Sequence, residues 1–168
     1  MAASLTSIDE YFLEYAIEIS RRALEDKGKT PFGAIVVING EVVSEGTSSV
    51  VELQDPTAHA EVMALRNAGT NLSRHLFEDG VMYTSSEPCP MCLCACYWAR
   101  LPRLVFGATS YDVATCGFED LRFYREMAHT ADSRFLQEHA AQEKLREKAA
   151  NVLRLWTTGL PSPVVPKY

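Results

Sequence analysis

From Ser7 onward, apolar side chains fall at Ile8, Phe12, Ala16, Ile19 and Ala23. Spacings of three and four put them on one face of an amphipathic helix. Ser7-Ile8-Asp9-Glu10 reads as a capping box with Glu10 at the third helical position, and Lys27-Gly28 reads as the helix end. Pro31-Phe32-Gly33 breaks the period. Ala34 to Ile38 is a continuous apolar run of strand length, and Asn39-Gly40 is a strong two-residue hairpin signal. Glu41 to Glu45 therefore returns antiparallel to it.

Thr47 to Pro56 reads as loop. His59 to Asn67 has helical spacing through Val62, Met63 and Leu65, and Gly69 to Gly80 is irregular or short helix. Val81 to Thr84 is a compact strand. Met91 to Arg100 is a helix with Pro90 at its favoured first position, and Leu104 to Phe106 is another strand. The order β-α-β-α-β predicts parallel strands joined by right-handed crossovers. Phe118 to Met127 reads as a short helix. Arg134 to Trp156 reads as one long helix with Glu143, Lys144, Glu147 and Lys148 on its wet side. Gly159 to Pro166 is an extended, proline-rich tail.

The 168 residues are enough for one domain, and 47% apolar content is enough for a core. No apolar run nears the roughly 20 residues that span a bilayer. Met1 to Glu10 lacks the layout of a signal peptide, so an intracellular, cytoplasmic globular protein is expected. The net charge of −6 argues against a surface for long nucleic acid. Residues 1–120 carry 8 basic and 17 acidic side chains, whereas residues 121–168 carry 8 and 5. The basic excess at the C-terminal end reads as a solvated helix face. Cys89, Cys92, Cys94, Cys96 and Cys116 are odd in number and crowded. That fits a reducing compartment with metal-binding or core cysteines better than a disulfide scaffold.

The chemistry concentrates in two segments. Asp55-Pro56-Thr57-Ala58-His59-Ala60-Glu61 sets a His and a Glu two apart at a helix start. Ser86-Glu87-Pro88-Cys89-Pro90-Met91-Cys92 sets two Cys three apart at another. One imidazole and two thiolates suit zinc and leave a fourth tetrahedral position for water, as catalytic sites do. Thiolates at a helix N-terminus gain from its positive dipole end. Glu61, left out of the ligand set, is placed to move that water's proton. A Cys-x-x-Cys pair also serves redox and structural zinc sites, and His59-Ala60-Glu61 upstream weighs against both. Cys94 and Cys96 read as small apolar helix residues, Cys116 as a loop or core thiol, and His75, His129 and His139 as surface residues.

The paired motifs, His-x-Glu followed by Pro-Cys-x-x-Cys, resemble the cytidine deaminase superfamily over roughly residues 8–127. Residues 55–61 and 87–92 are similar to its purine-acting branch, guanine deaminases and tRNA adenosine deaminases. The resemblance implies a three-layer α/β/α sandwich with a mixed central sheet of about five strands. The fifth strand is either Arg134 to Gln137 or lost into helix. It further implies one Zn2+ per chain on His59, Cys89 and Cys92, Glu61 as the proton carrier, and one domain over residues 1–168. The tail, 157–168, would be exchanged with a partner subunit in a homodimer.

Several segments lean toward the guanine deaminases. Gly117-Phe118-Glu119-Asp120 is similar to a segment whose Asp lies in their active site, so Asp120 is carried over as a catalytic carboxylate, with a helix cap as the alternative. Phe32, Ala60 and Trp98 are carried over to the substrate pocket, with core packing the alternative for Phe32 and Trp98. Tyr168 is carried over as a residue reaching the neighbouring subunit's pocket, with a frayed terminus as the alternative. One position departs: Ser48 stands where the family pattern has asparagine. A hydroxyl offers its donor and acceptor from a single atom. The expected substrate is therefore a free amino-heterocycle, most similar to guanine. A cytosine-, triazine- or modified-purine-type compound, a tRNA adenosine and an inactive deaminase-fold subunit remain as alternatives.

Overall fold

The computed structural model describes residues 4–130 and 133–162. Helix α1 spans Ser7–Arg21 and runs into a 3-10 turn at Arg22–Leu24. Its capping box is Thr6 with Asp9, one residue earlier than the expected Ser7 with Glu10. The Thr6 hydroxyl accepts from the Asp9 N–H, and the Asp9 carboxylate accepts from the Thr6 N–H. The shift has a tertiary cause. Asp9 is buried and also accepts from the Tyr83 hydroxyl at 2.8 Å and from both terminal nitrogens of Arg103 at 2.6 and 2.8 Å. Glu10 is exposed and has no such partners to gain.

Strands β1 (Thr30–Ile38) and β2 (Glu41–Ser48) are joined by Asn39-Gly40, both at positive φ as a two-residue hairpin requires. Both strands are longer than the apolar pattern alone indicates, because cross-strand pairing continues outward to Thr30 opposite Ser48. A short helix α2 (Val50–Leu53) sits in the expected loop. Then follow α3 (Ala60–Leu72), β3 (Gly80–Ser86), α4 (Pro90–Trp98) and β4 (Arg103–Ala108). Helix α5 (Ser110–Thr115), absent from the sequence reading, is opened by a capping box of Thr109 with Asp112, and α6 spans Asp120–Ala128.

The sheet order is β2-β1-β3-β4. β1 is antiparallel to both β2 and β3, and only β3 and β4 pair in parallel. β3 and β4 are joined through α4, and the connection through α3 passes over β1 to join β2 to β3. Alternate residues of β1 face opposite layers. Ile35 and Val37 pack with Phe12, Ala16 and Ile19 of α1, while Ala34, Val36 and Ile38 pack with α3 and α4. The architecture is thus the expected three-layer α/β/α sandwich with a mixed sheet. Among the described residues the sheet has four strands, against about five expected.

α3 lies unusually close to β2. Its buried face is Ala60, Ala64 and Ala68, and opposite them stands Gly46. A Cβ on Gly46 would fall 2.0 Å from the Ala60 carbonyl oxygen and 2.4 Å from the Ala64 nitrogen. Only glycine admits this approach, which sets the height of the α3 N-terminus above the sheet.

The chain divides into two compact units, one up to Ala128 and one from His129 on. In the second unit the long helix expected over Arg134 to Trp156 is confined to α7 (Glu143–Thr158). Within α7, Arg146 meets Glu143 and Glu147, and Arg154 meets Glu147. No strand occurs at Arg134 to Gln137. No helix among the described residues is long and apolar enough to cross a membrane.

Candidate active site

Two helix starts face each other. His59 is the N-cap of α3 and Cys89 the N-cap of α4, both with extended backbone, and Pro90 occupies the first turn of α4. The His59 side chain makes no capping bond to α3, and the imidazole meets the thiol at the head of α4. His59 Nδ1 lies 3.6 Å from Cys89 Sγ. Cys92, one turn into α4 and fully buried, completes a group whose ligand atoms all lie within 4.8 Å of one another.

This donor set fits zinc. With Zn–N of about 2.1 Å and Zn–S of about 2.3 Å at tetrahedral angles, a nitrogen and a sulfur ligand stand about 3.6 Å apart, which is the separation observed. The ionisation of these groups points the same way. The Cys89 thiol is held well below its ordinary range by hydrogen bonding from Cys92 and by His59, against the cost of burial. Cys92 is pushed up by that same bond and by burial. His59 is pushed up by its bond to Cys89. One thiolate forms readily here, and a divalent cation would displace the second proton.

A cavity of about 180 Å³ opens beside this group. Its apolar walls include Phe32 and Phe118, whose rings meet edge to face at 4.9 Å. Glu61, in the first turn of α3, is 5% exposed and reaches the cavity, and the Thr84 hydroxyl donates to its Oε1 at 3.3 Å. Burial pushes the Glu61 carboxyl up, and it does the same, helped by the Cys89 charge, for the half-buried Asp120 at the start of α6. The Tyr124 hydroxyl on α6 donates to the Pro88 carbonyl at 2.7 Å and so ties that helix to the turn just before Cys89.

His59, Glu61, Cys89, Phe32, Ser48 and Asp120 all line this one cavity. Ala60 and Trp98 do not. Ala60 is fully buried against β2, because it forms the close contact at Gly46. Trp98 is 75% exposed at the end of α4 with its ring beside Arg100. Tyr168 lies outside the described residues. The cavity also draws on Thr30, Val50, Ser86 and Phe118, which sequence reasoning did not single out. Phe118 sits inside the quoted Gly-Phe-Glu-Asp segment and was findable. Thr30 becomes visible only once its strand pairing is known.

The model of the cytidine and deoxycytidylate deaminase zinc-binding region matches residues 6–108. The chain belongs to this family. Guanine deaminase of Bacillus subtilis is 41% identical over 125 residues, covering 74% of this chain and 80% of that protein. The X-ray structure of guanine deaminase from Bacillus subtilis matches with a TM-score of 0.86 and 32% identity over 95% of this chain and 99% of that one. The tRNA-specific adenosine deaminase of Aquifex aeolicus is 43% identical over 99 residues, or 59% of this chain and 65% of that protein. The protein is thus a zinc-dependent deaminase-family hydrolase acting on C–N bonds, and its His/Cys/Cys group fits one Zn2+.

Proposed function

We propose that the protein hydrolyses the exocyclic amine of a free guanine-like nucleobase and releases ammonia. The observation that carries this is one small cavity lined by His59, Cys89 and the buried Glu61 carboxyl, with Cys92 completing the donor group behind it and the touching Phe32 and Phe118 rings forming an apolar wall. Bound at His59, Cys89 and Cys92, zinc supplies a Lewis acid that brings water to a pKa of about 7. Glu61 takes one proton from the attacking water and gives it to a ring nitrogen, then takes the second from the newly added hydroxyl and gives it to the departing amine. A C–O bond forms at the amino-bearing carbon, the C–N bond breaks, and ammonia leaves. Phe32 and Phe118 orient the ring and keep bulk water out. Asp120, at the cavity rim, contacts the base or relays a proton. The cavity of about 180 Å³ and the likeness to guanine deaminase support a free base as substrate.

The test is ammonia release by the zinc-loaded protein from a panel of purines, pyrimidines, triazines and their nucleosides. Guanine turnover is expected, with Glu61→Ala losing about 10²–10⁴-fold or more in rate while its zinc content stays at the wild-type level. No ammonia from any member of the panel would refute the reading and favour an inactive deaminase-fold subunit. A second reading, deamination of a tRNA adenosine, is favoured by the likeness to the Aquifex enzyme and opposed by the net charge of −6. RNA binding with a steep salt dependence would support it.

The same reading includes a cytoplasmic homodimer of single-domain chains that exchange residues 157–168, with Tyr168 reaching the partner's cavity. The described cysteines are all free, in keeping with a reducing compartment. Light scattering on the full chain and on one ending at residue 156 tests the dimer and the exchange.

A further inference from the structure

Thr30 and Ser48 are direct cross-strand partners at the open end of the β1–β2 pair, and both line the cavity. Thr30 Oγ1 donates to Ser48 Oγ at 2.5 Å. Ser48 is 2% exposed. Its oxygen is engaged by Thr30, and its own hydrogen has no acceptor among the described residues. The neighbouring Ser49 takes no part, since its hydroxyl is held by the Lys29 ammonium and donates to the Thr47 carbonyl. Two hydroxyls therefore stand side by side on the wall. One has a hydrogen to give, and the other has lone pairs to accept with.

We propose that Thr30 is a specificity-determining residue which, joined to Ser48, forms a two-hydroxyl edge that reads an amide-like N–H/C=O edge on the substrate ring. This rests on the deaminase reading above and deepens it. A lone serine offers a donor and an acceptor from one atom, so it cannot address two neighbouring ring atoms at once. The Thr30–Ser48 pair separates the two functions. Ser48 O–H points a donor at a carbonyl, and Thr30 Oγ1 accepts from the adjacent N–H. The pair does with two side chains what the amide of a single asparagine does alone. Rotating both hydroxyls reverses the order of donor and acceptor, so the edge also accommodates a ring in which the N–H and C=O are interchanged. A ring lacking both groups leaves the buried pair without partners and is rejected.

The test is calorimetric binding to the zinc-loaded Glu61→Gln protein, which holds ligand without turnover. The two probes are guanine, which carries the N–H/C=O edge, and 2-aminopurine, which lacks it. Guanine is expected to bind more tightly. Thr30→Val, which deletes the hydroxyl and keeps the shape, should weaken guanine about tenfold and leave 2-aminopurine within twofold, because the loss is confined to one buried polar pair. Ser48→Ala should do the same, and the double variant should lose little more than either single one. Thr30→Ser restores the hydroxyl and should restore the discrimination. Two results overturn the proposal: Thr30→Val keeping the parental guanine preference, or Thr30→Ser losing it as Thr30→Val does. If the parental protein binds neither base, the guanine reading fails, and this proposal falls with it. Valine favours strands, and a melting curve for each variant separates a lost contact from a lost fold.

Discussion

Gly46→Ala tests how the fold places the chemistry. The new Cβ would stand 2.0 Å from the Ala60 carbonyl oxygen and 2.4 Å from the Ala64 nitrogen. Both are backbone atoms of α3, so no side chain can rotate out of the way. Clearing the contact requires the first turn of α3 to retreat from β2 by about 1 Å, and overpacking of a well-filled core costs about 1–3 kcal/mol. With rigid backbone on both sides the upper end applies, and about 3 kcal/mol corresponds to a fall of about 6–12 °C in melting temperature for a chain of this size. The activity effect is larger in proportion, because Ala60 lies between His59 and Glu61. A misplacement of about 1 Å costs on the order of 10²-fold in rate, and metal–ligand distances tolerate only about 0.2 Å. The expected result is reduced zinc content together with a loss of about 10²-fold in kcat/KM, even at a temperature where the variant is fully folded. Gly69→Ala near the other end of α3 is the control: its Cβ meets only the Arg74 carbonyl oxygen at 3.3 Å, and it should keep zinc and activity. Wild-type melting, zinc content and kcat/KM in Gly46→Ala would refute the claim that this contact positions the site.

Two further outcomes are expected. The bonds to Arg103, Thr6 and Tyr83 hold the Asp9 carboxyl well below the usual carboxylate range. A depressed folded value means that its contribution is fully present above the unfolded value of about 3.9 and is lost as pH falls toward the folded one. Asp9→Asn, which turns an acceptor into a donor facing Arg103, should cost about 3 kcal/mol at pH 7 and flatten the fall in stability below about pH 4; denaturant titrations from pH 3 to 8 check both. Tyr124→Phe removes the bond to the Pro88 carbonyl, so it should cost about 1 kcal/mol and accelerate zinc loss to a chelator while leaving the ligands in place. Unchanged zinc release would show that α6 does not brace the Cys89 turn.

The elements and the chemistry differ in how far the chain alone reveals them. α1, the β1–β2 hairpin, β3, α4 and β4 follow from short-range signals: apolar spacing, Asn39-Gly40 at the turn and Pro90 at a helix start. The zinc donors and Glu61 follow from spacing for the same reason, since a helix start fixes which residues within a few positions share one end of it. Signals that depend on distant partners were not legible. The capping residue is Thr6 because Asp9 meets Tyr83 and Arg103, far away in the chain. α5 has too few residues to show a period. The helical pattern expected from Arg134 is realised only from Glu143, since apolar and charged spacing alone does not fix where a helix starts. Ala60, carried over to the pocket by resemblance, does not line the cavity, and its tight contact with Gly46 shows only once the two segments are packed.

The sequence by itself determined that the zinc-fitting His59, Cys89 and Cys92, and the Glu61 of the proposed mechanism, lie within two short segments whose local geometry is set by neighbouring residues. Only the tertiary structure decided what faces them. β1 brings Phe32 and Thr30, β2 brings Ser48, and α6 brings Asp120. These converge from across the chain because the antiparallel register and the α3 crossover over β1 stack them on one end of the sheet. Strand register and helix height arise from pairing and packing between distant segments, and no local pattern encodes either.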